Sequence, residues 1–372
     1  MSRRILITGG AGFIGSHLAD RLLKRGDAVR ALDNLAVQVH GPERKRPAYL
    51  DPSVELIVGD VRDPDVVQRA VRGVDAVFHL AAAVGLGRSM YHVASYMDVN
   101  GRGTSVLLEA LMKRPVERLV VGSSVGLYGE GLYRAEDGRV VAGIERPLGQ
   151  LKAKDWELRD EDGGPLTSIP TPETKAPALT SVYALSKYDQ ERLCLIIGAA
   201  YGIPSVALRF FNVYGARQAL SNPYTGVLAI FAARYLNNKP PLLFEDGRQR
   251  RDFVSVADAV EACVLALDRP EAVGRAINVG SGHAAALLDV AASLAHVLGK
   301  DGIVAEVTGE YRVGDIRHCS ADLDLARQVL GYEPRVALAD GLVELAAWLK
   351  DQVAVDRSAE ARRELVERGL AV

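Results

Sequence analysis

The chain has little cysteine: Cys194, Cys263 and Cys319 are its only three, widely spaced and odd in number. That count argues against a disulfide framework and fits reduced thiols in a cytoplasmic protein. No Cys or His pair has metal-ligand spacing, so no metal site is expected. Long apolar runs are missing too. Ile5-Leu6-Ile7 follows Arg3-Arg4 but breaks at Thr8-Gly9-Gly10, too early for a signal peptide, and no later stretch approaches the ~20 apolar residues of a membrane helix. Charge of one sign is absent as well: 45 Lys and Arg against 47 Asp and Glu leave a net charge of -2, which argues against nucleic acid or a membrane surface as a partner. What is plentiful is apolar residue, 48% of 372, enough for about two domains or one large α/β domain with additions. Small molecules are the expected partners.

The most informative stretch is Thr8-Gly9-Gly10-Ala11-Gly12-Phe13-Ile14-Gly15-Ser16, directly after the short strand at 5–7. Ile14, Leu18 and Leu22 then recur at helical spacing, so strand, tight turn and helix follow in order. Gly9 permits the turn, Gly12 lets backbone approach a pyrophosphate, and Gly15 lets the helix pack close to the strand; the free N–H groups of the helix start then face the phosphates. An ordinary Gly-rich turn has the same composition. Context favours a dinucleotide cradle, because the next strand, 28–32, ends in Asp33, near the ~20-residue offset of an acid that holds the adenosine ribose. Such an acid repels a 2′-phosphate and favours NAD; the basic cluster Arg44-Lys45-Arg46, most simply a solvated loop, is the one feature that speaks for NADP.

Strand and helical patterns continue to alternate, as in a doubly wound parallel sheet covered on both faces. Asn34 follows Asp33, and Asp60-Val61 closes a third strand where an adenine could rest, although Asp60 reads equally as a helix-start acid. Strand 76–80 ends at Leu80 and runs into Ala81-Ala82-Ala83, small residues suited either to a cofactor passing closely or to a core turn. A helix is expected around 100–111, and the strand 119–121 leads into Gly122-Ser123-Ser124-Val125-Gly126, at the carboxyl edge where ligands bind in open α/β sheets. Residues 131–180 are polar and rich in Gly, Pro and charge, an insertion bordering the site. Tyr183 and Lys187 stand four apart on a helix spanning 182–197 and share a face. A lysine beside a tyrosine can hold the phenol in a proton-accepting state; a surface Tyr and Lys pair is the plain alternative.

Together the Gly9 to Gly15 loop, Asp33, Ser124 and Tyr183-x-x-x-Lys187 resemble the extended short-chain dehydrogenase/reductase family of nucleotide-sugar epimerases and dehydratases. The resemblance covers nearly the whole chain and includes Asn100, Arg209-Phe210-Phe211-Asn212-Val213-Tyr214-Gly215, Arg251-Asp252-Phe253-Val254 and Arg312-Val313-Gly314-Asp315. It implies Tyr183 as catalytic base, Lys187 as its electrostatic partner and ribose ligand, and Ser124 as the hydroxyl beside the reacting carbon. It implies a bound NAD against Gly9, Gly12, Phe13, Ile14, Gly15, Asp33, Asn34, Asp60, Val61, Leu80, Ala81, Ala82, Asn100, Tyr183 and Lys187. Ser124, Asn212, Val227, Arg251, Arg312 and Asp315 would meet the nucleotide-sugar substrate, amide and guanidinium groups being suited to phosphate oxygens. Surface salt bridges are the alternative use of those arginines.

The implied fold is a Rossmann-type doubly wound sheet with a smaller interleaved α/β substrate lobe. Residues 1–211 are mainly NAD-binding, with 251–282 returning to that part; 212–250 and 283–350 form mainly the substrate lobe, and 351–372 a C-terminal appendage given no chemistry. Dehydrating members of the family carry acids after the catalytic hydroxyl, where this chain has Val125 and Gly126. Elimination thus lacks its general acid, which points to 4-epimerisation through a transient 4-keto sugar. The run Asn222-Pro223-Tyr224-Thr225-Gly226-Val227, the insertion, and Gly314-Asp315-Ile316-Arg317-His318-Cys319 are most similar to members acting on a dTDP-6-deoxyhexose such as dTDP-L-rhamnose. UDP-glucose/UDP-galactose 4-epimerisation, a 4-keto-sugar reductase and a non-catalytic NAD-sensing protein are the other readings. The helices at 100–111 and 182–197 are those that relatives pair into a homodimer, and a buried intramolecular face would use the same apolar residues.

Overall fold

The structure, a computed structural model, describes residues 2–224, 226–312 and 314–371; Thr225 and Val313, members of two of the motifs above, lie outside the described residues. Ile5, Leu6 and Ile7 form β1 (Arg4–Thr8), a strand buried on both faces. Ile5 and Ile7 join one apolar cluster with Leu18 and Leu22 of α1 (Phe13–Lys24), and Leu6 joins another with Val67 and Leu107. That alternation is the two-residue period of a strand between two layers of helix.

β2 (Ala28–Asp33), β3 (Glu55–Val58), β4 (Ala76–His79) and β5 (Arg118–Ser124) join β1 and the strands Ser205–Phe210 and Ala276–Val279 in one parallel sheet. The order is Ala276–Val279, Ser205–Phe210, β5, β4, β1, β2, β3. The direction of winding reverses between β1 and β4, so the loops after Thr8 and His79 diverge and open a crevice at the carboxyl edge. The expected doubly wound α/β architecture is what the chain adopts.

A second sheet pairs Asn212–Tyr214 with Arg250–Ser255, which in turn pairs with Ala284–Ala286 and His318–Cys319. A third apolar cluster, with Tyr214, Phe231, Leu243, Leu294 and Leu345, fills the lobe behind it. Arg250–Ser255 therefore departs from the expectation that the chain re-enters the first part at residue 251; the helix Val256–Asp268, packed on α1, and the strand Ala276–Val279 do return. The cause is local. Asp252, fully buried, accepts the backbone N–H groups of Ser281, Gly282 and Ala321, which ties its strand to the turn after Ala276–Val279 and to the chain after His318–Cys319.

Two other elements differ from the sequence reading. The helix expected at 100–111 begins with a π-helical turn, Met97–Arg102, before the α-helix Gly103–Lys113. The insertion folds as a three-stranded antiparallel sheet, Leu132–Arg134 between Val140–Ala142 and Thr167–Ile169. Among the described residues no helix is long and apolar enough to cross a membrane, and no group of three metal-ligating side chains occurs. All three cysteines are free and buried.

Candidate active site

A cavity of about 810 Å³ runs from the Gly9 loop across the carboxyl edge of the sheet into the second lobe. At its first end the glycines are required by geometry. Gly9 has φ +72°, and a Cβ there would lie 3.0 Å from the backbone nitrogen of Ala81. A Cβ on Gly15 would lie 2.2 Å from the Gly9 carbonyl oxygen, closer than any side chain allows. Gly12 caps α1 without a side-chain hydrogen bond, so the first N–H groups of the helix are left for a ligand.

Asp33 closes β2 with Oδ2 accepting from Ala11 N at 3.0 Å and Oδ1 from Leu35 N at 2.9 Å, which fixes the carboxylate on the wall. Asp60 is also on the wall, but its carboxylate accepts from the Arg62 guanidinium and from Asn34 Nδ2, which hold it well below the usual carboxylate range. The 44–46 cluster does not reach the cavity. Arg44 donates to the carbonyls of Asn34 and Leu35, Arg46 to that of Val54, and Lys45 pairs with Glu43. An acid fixed at the strand end, a glycine cradle and no guanidinium aimed beside Asp33 from that cluster fit NAD.

Phe13, Ile14, Val61, Leu80, Ala81 and Ala82 line the cavity as expected. Asn100 does not. It is wholly buried, its Oδ1 accepting from Ala83 N at 2.7 Å and its Nδ2 donating to Ala83 O and to Ser186 Oγ. The wide π-helical turn carries this amide under the Ala81–Ala83 loop, so Asn100 shapes the cavity from behind.

The residues expected to react meet at the centre. Ser181 caps the helix Val182–Tyr201 through Ala184 N, and Ser89 Oγ accepts Tyr183 N at 3.0 Å, so the first turn is anchored on two sides. Tyr183, Lys187 and Ser124 all face the cavity. Burial pushes the Tyr183 phenol up, and a hydrogen bond with Ser124 pulls it down. Lys187, only 4% exposed, donates to Gly122 O and to Gln190 Oε1; burial lowers its ammonium to about 8. Beneath them Glu191 accepts from Ser123 Oγ and from two nitrogens of the Arg209 guanidinium, joining β5, the helix Val182–Tyr201 and the next strand. A Cβ on Gly126 would face Ser124 Oγ at 3.4 Å and the Tyr183 ring at 3.7 Å, so the residue at 126 decides what stands beside the reacting groups.

At the far end Asn212, Val227, Arg251, Arg312 and Asp315 line the cavity. Arg251 is partly committed, donating to the carbonyls of Ile316 and Arg317 and standing 3.4 Å from Asp315. Arg312 lies 4.0 Å over the Phe244 ring with its buried Nε unpaired among the described residues, as is the buried Asn212 Oδ1. Two orphaned polar atoms in one apolar-walled cavity are what a polar ligand would satisfy. Residues beyond the sequence reading also line it: Arg62, Arg88, Tyr96, Gln218, Phe244 and Gln249. Phe244 stands just beyond Leu242–Leu243, a short strand with little pattern; Arg88 is a lone arginine in a short turn and carried no signal.

The matching family model is that of the NAD dependent epimerase/dehydratase family, over residues 5–146 and 160–280. A dTDP-L-rhamnose 4-epimerase of Burkholderia thailandensis is 36% identical over 94% of this chain and 96% of its own. A putative UDP-glucose 4-epimerase of Methanocaldococcus jannaschii is 30% identical over 93% of this chain and 98% of its own. The crystal structure of the Thermus thermophilus UDP-glucose 4-epimerase complex with NAD superposes with a TM-score of 0.73 at 32% identity, covering 94% of this chain and 100% of that one. With the cradle, the fixed acid and the Tyr183–Lys187–Ser124 group in place, the chain belongs to the NAD dependent epimerase/dehydratase family, as an NAD-using enzyme of the extended short-chain dehydrogenase/reductase type.

Proposed function

We propose that the protein is a nucleotide-sugar 4-epimerase acting on a dTDP-6-deoxyhexose such as dTDP-L-rhamnose. The observation that carries epimerisation is the surroundings of Tyr183. The Ser124 side chain hydrogen-bonds its phenol, and Gly126 leaves the neighbouring position without an acid. Elimination of a hydroxyl needs such a group, and moving a proton to and from one hydroxyl does not.

NAD, held by the Gly9 to Gly15 loop, Asp33 and Lys187, supplies the hydride acceptor and donor when bound. Tyr183 takes the proton of the 4-hydroxyl and later returns it to the opposite configuration. The Ser124 hydroxyl holds that oxygen in line, and the Lys187 ammonium favours the ionised phenol. Asn212, Arg251 and Arg312 hold the diphosphate and nucleoside, which keeps the sugar resident while its ring turns over. Likeness to the Burkholderia enzyme supports the dTDP-6-deoxyhexose, and likeness to UDP-glucose 4-epimerases makes UDP-glucose the rival substrate. Exposed Leu185 and Ile196 on the catalytic helix support a homodimer, and the buried free thiols support a cytoplasmic setting.

The test is to incubate the purified enzyme, with no added cofactor, with dTDP, UDP and GDP sugars and follow the anomeric protons by NMR. Conversion of dTDP-L-rhamnose to its carbon-4 epimer is expected. Interconversion of UDP-glucose and UDP-galactose alone would replace the substrate, and a stable keto or reduced product would overturn epimerisation.

A further inference from the structure

The C-terminal residues 351–372, expected as an appendage, include a helix, Ser358–Glu367, that packs against Gly87, Tyr91 and Tyr224 beside the cavity. Its amphipathic pattern is used inward: Ala361 and Leu365 are buried, and a Cβ on Gly87 would lie 3.0 Å from Leu365 Cδ2. Glu364 Oε2 accepts from Tyr91 OH and from Tyr224 OH, both at 2.6 Å, and the two phenol oxygens are 2.7 Å apart. Arg368 lies 4.3 Å over the Tyr91 ring.

This wall is close to the chemistry. Tyr224 lines the cavity and packs on Gly85, where a Cβ would lie 2.8 Å from Tyr224 Cβ. The guanidinium of Arg88, also on the cavity wall, stands 5.8 Å over the Tyr224 ring. One residue further, Ser89 accepts the backbone N–H of Tyr183. The same C-terminal stretch reaches the opposite wall. Arg362 pairs with the Glu310 carboxylate, and Ala371 forms a backbone bridge with Arg312. One short segment is thus tied to both sides of the cavity by side-chain and backbone bonds.

We propose that the C-terminal helix is part of the substrate site, with Glu364 as a positioning residue that sets the Tyr224–Arg88 wall facing the sugar while residues 362–371 strap that wall to Arg312. The inference rests on the reading of the cavity as a nucleotide-sugar site. A carboxylate bonded to two phenols fixes both rings at once; without it the phenols lose a charge-assisted acceptor and the wall gains alternative rotamers. Since Glu364 touches no reacting atom, its loss weakens ground state and transition state alike, which raises KM and spares kcat.

The experiment compares the full chain with Glu364→Ala, Glu364→Gln and Tyr224→Phe. Steady-state kinetics use the nucleotide sugar turned over in the NMR panel, calorimetry the binding of dTDP-L-rhamnose and UDP-glucose, and absorbance the resident NAD. Glu364→Ala should raise KM and the calorimetric dissociation constant about tenfold, with kcat within about twofold and NAD retained. Glu364→Gln keeps an acceptor oxygen and should recover most of that loss, and Glu364→Ala should add little in a Tyr224→Phe background. Unchanged KM in both Glu364→Ala and Tyr224→Phe would overturn the proposal. So would equal damage from Glu364→Gln and Glu364→Ala with a matching fall in melting temperature, which marks a purely structural contact. If the unaltered enzyme binds neither nucleotide sugar, the functional reading fails and this one falls with it.

Discussion

Tyr183 stands where its own ionisation is opposed. Burial raises the phenol and the Ser124 hydroxyl favours its ionised form; the Lys187 ammonium, one helical turn on along the same cavity wall, is the cation expected to add to that support. Lys187 is itself displaced downward, to about 8, so it is charged below that pH and neutral above it. The sign follows: the Lys187 share of the support for the ionised phenol is largely present at neutral pH and is lost as pH rises through about 8. The kcat profile should therefore fall on the alkaline side near pH 8, and Lys187→Met should flatten that limb while lowering kcat about 100-fold at pH 7. An alkaline limb unchanged in Lys187→Met would assign it to another group. His79 is excluded in advance. Burial holds it down at about 3, and it sits between Thr8 Oγ1 and Thr104 Oγ1, neutral throughout that range.

At the scale of elements, the strand, turn and α1 unit was legible in the sequence because each glycine answers a separate steric demand. Those demands differ in kind, which makes them separable. A methyl at Gly15 meets the Gly9 carbonyl at 2.2 Å and Gly10 Cα at 2.8 Å, so α1 must move off the loop; at Gly12 the nearest atom is 3.3 Å away. Gly15→Ala should lower the melting temperature by several degrees, consistent with ~1–3 kcal/mol of overpacking, and yield enzyme without resident NAD. Gly12→Ala should melt close to the unaltered protein yet retain less NAD, because its methyl enters the cavity and not the core. Equal melting temperatures for the two variants would contradict this division. Other elements were illegible for physical reasons. Asn100 reads as a polar residue near a helix start, and nothing in a 3.6-residue period announces the π-helical turn that buries it. The C-terminal helix has an apolar stripe in its sequence, but a stripe says that a helix docks and not on what.

The whole molecule joins two lobes that exchange chain several times, and the insertion is where the exchange is braced. Arg317 is 0% exposed and donates to Glu157 of the insertion and to Glu245 and Asp246, beyond the strand Leu242–Leu243. Arg146, also in the insertion, pairs with Glu245 at 2.8 Å, and Glu130 accepts the backbone N–H groups of Arg317 and His318. The chain beside these groups, at Phe244, Gln249, Arg251, Asp315 and Ile316, is cavity wall. None of this was readable along the sequence, where the insertion is a run of charge, Gly and Pro; the partners lie 71 to 187 residues from Arg317 and only the fold pairs them. A buried cation serving three carboxylates cannot be removed without stranding charge, so Arg317→Met should cost about 3–5 kcal/mol of stability. Its effect on function should be one-sided. The nucleotide-sugar KM should rise about tenfold, because both loops of the far wall lose their common anchor, while resident NAD, held by β1, β2 and α1, should be unchanged. Denaturant unfolding, steady-state kinetics and NAD absorbance on the same preparation read the three quantities. Loss of NAD in step with the rise in KM would mean that the lobes respond as one body and that the insertion does not brace the substrate wall separately.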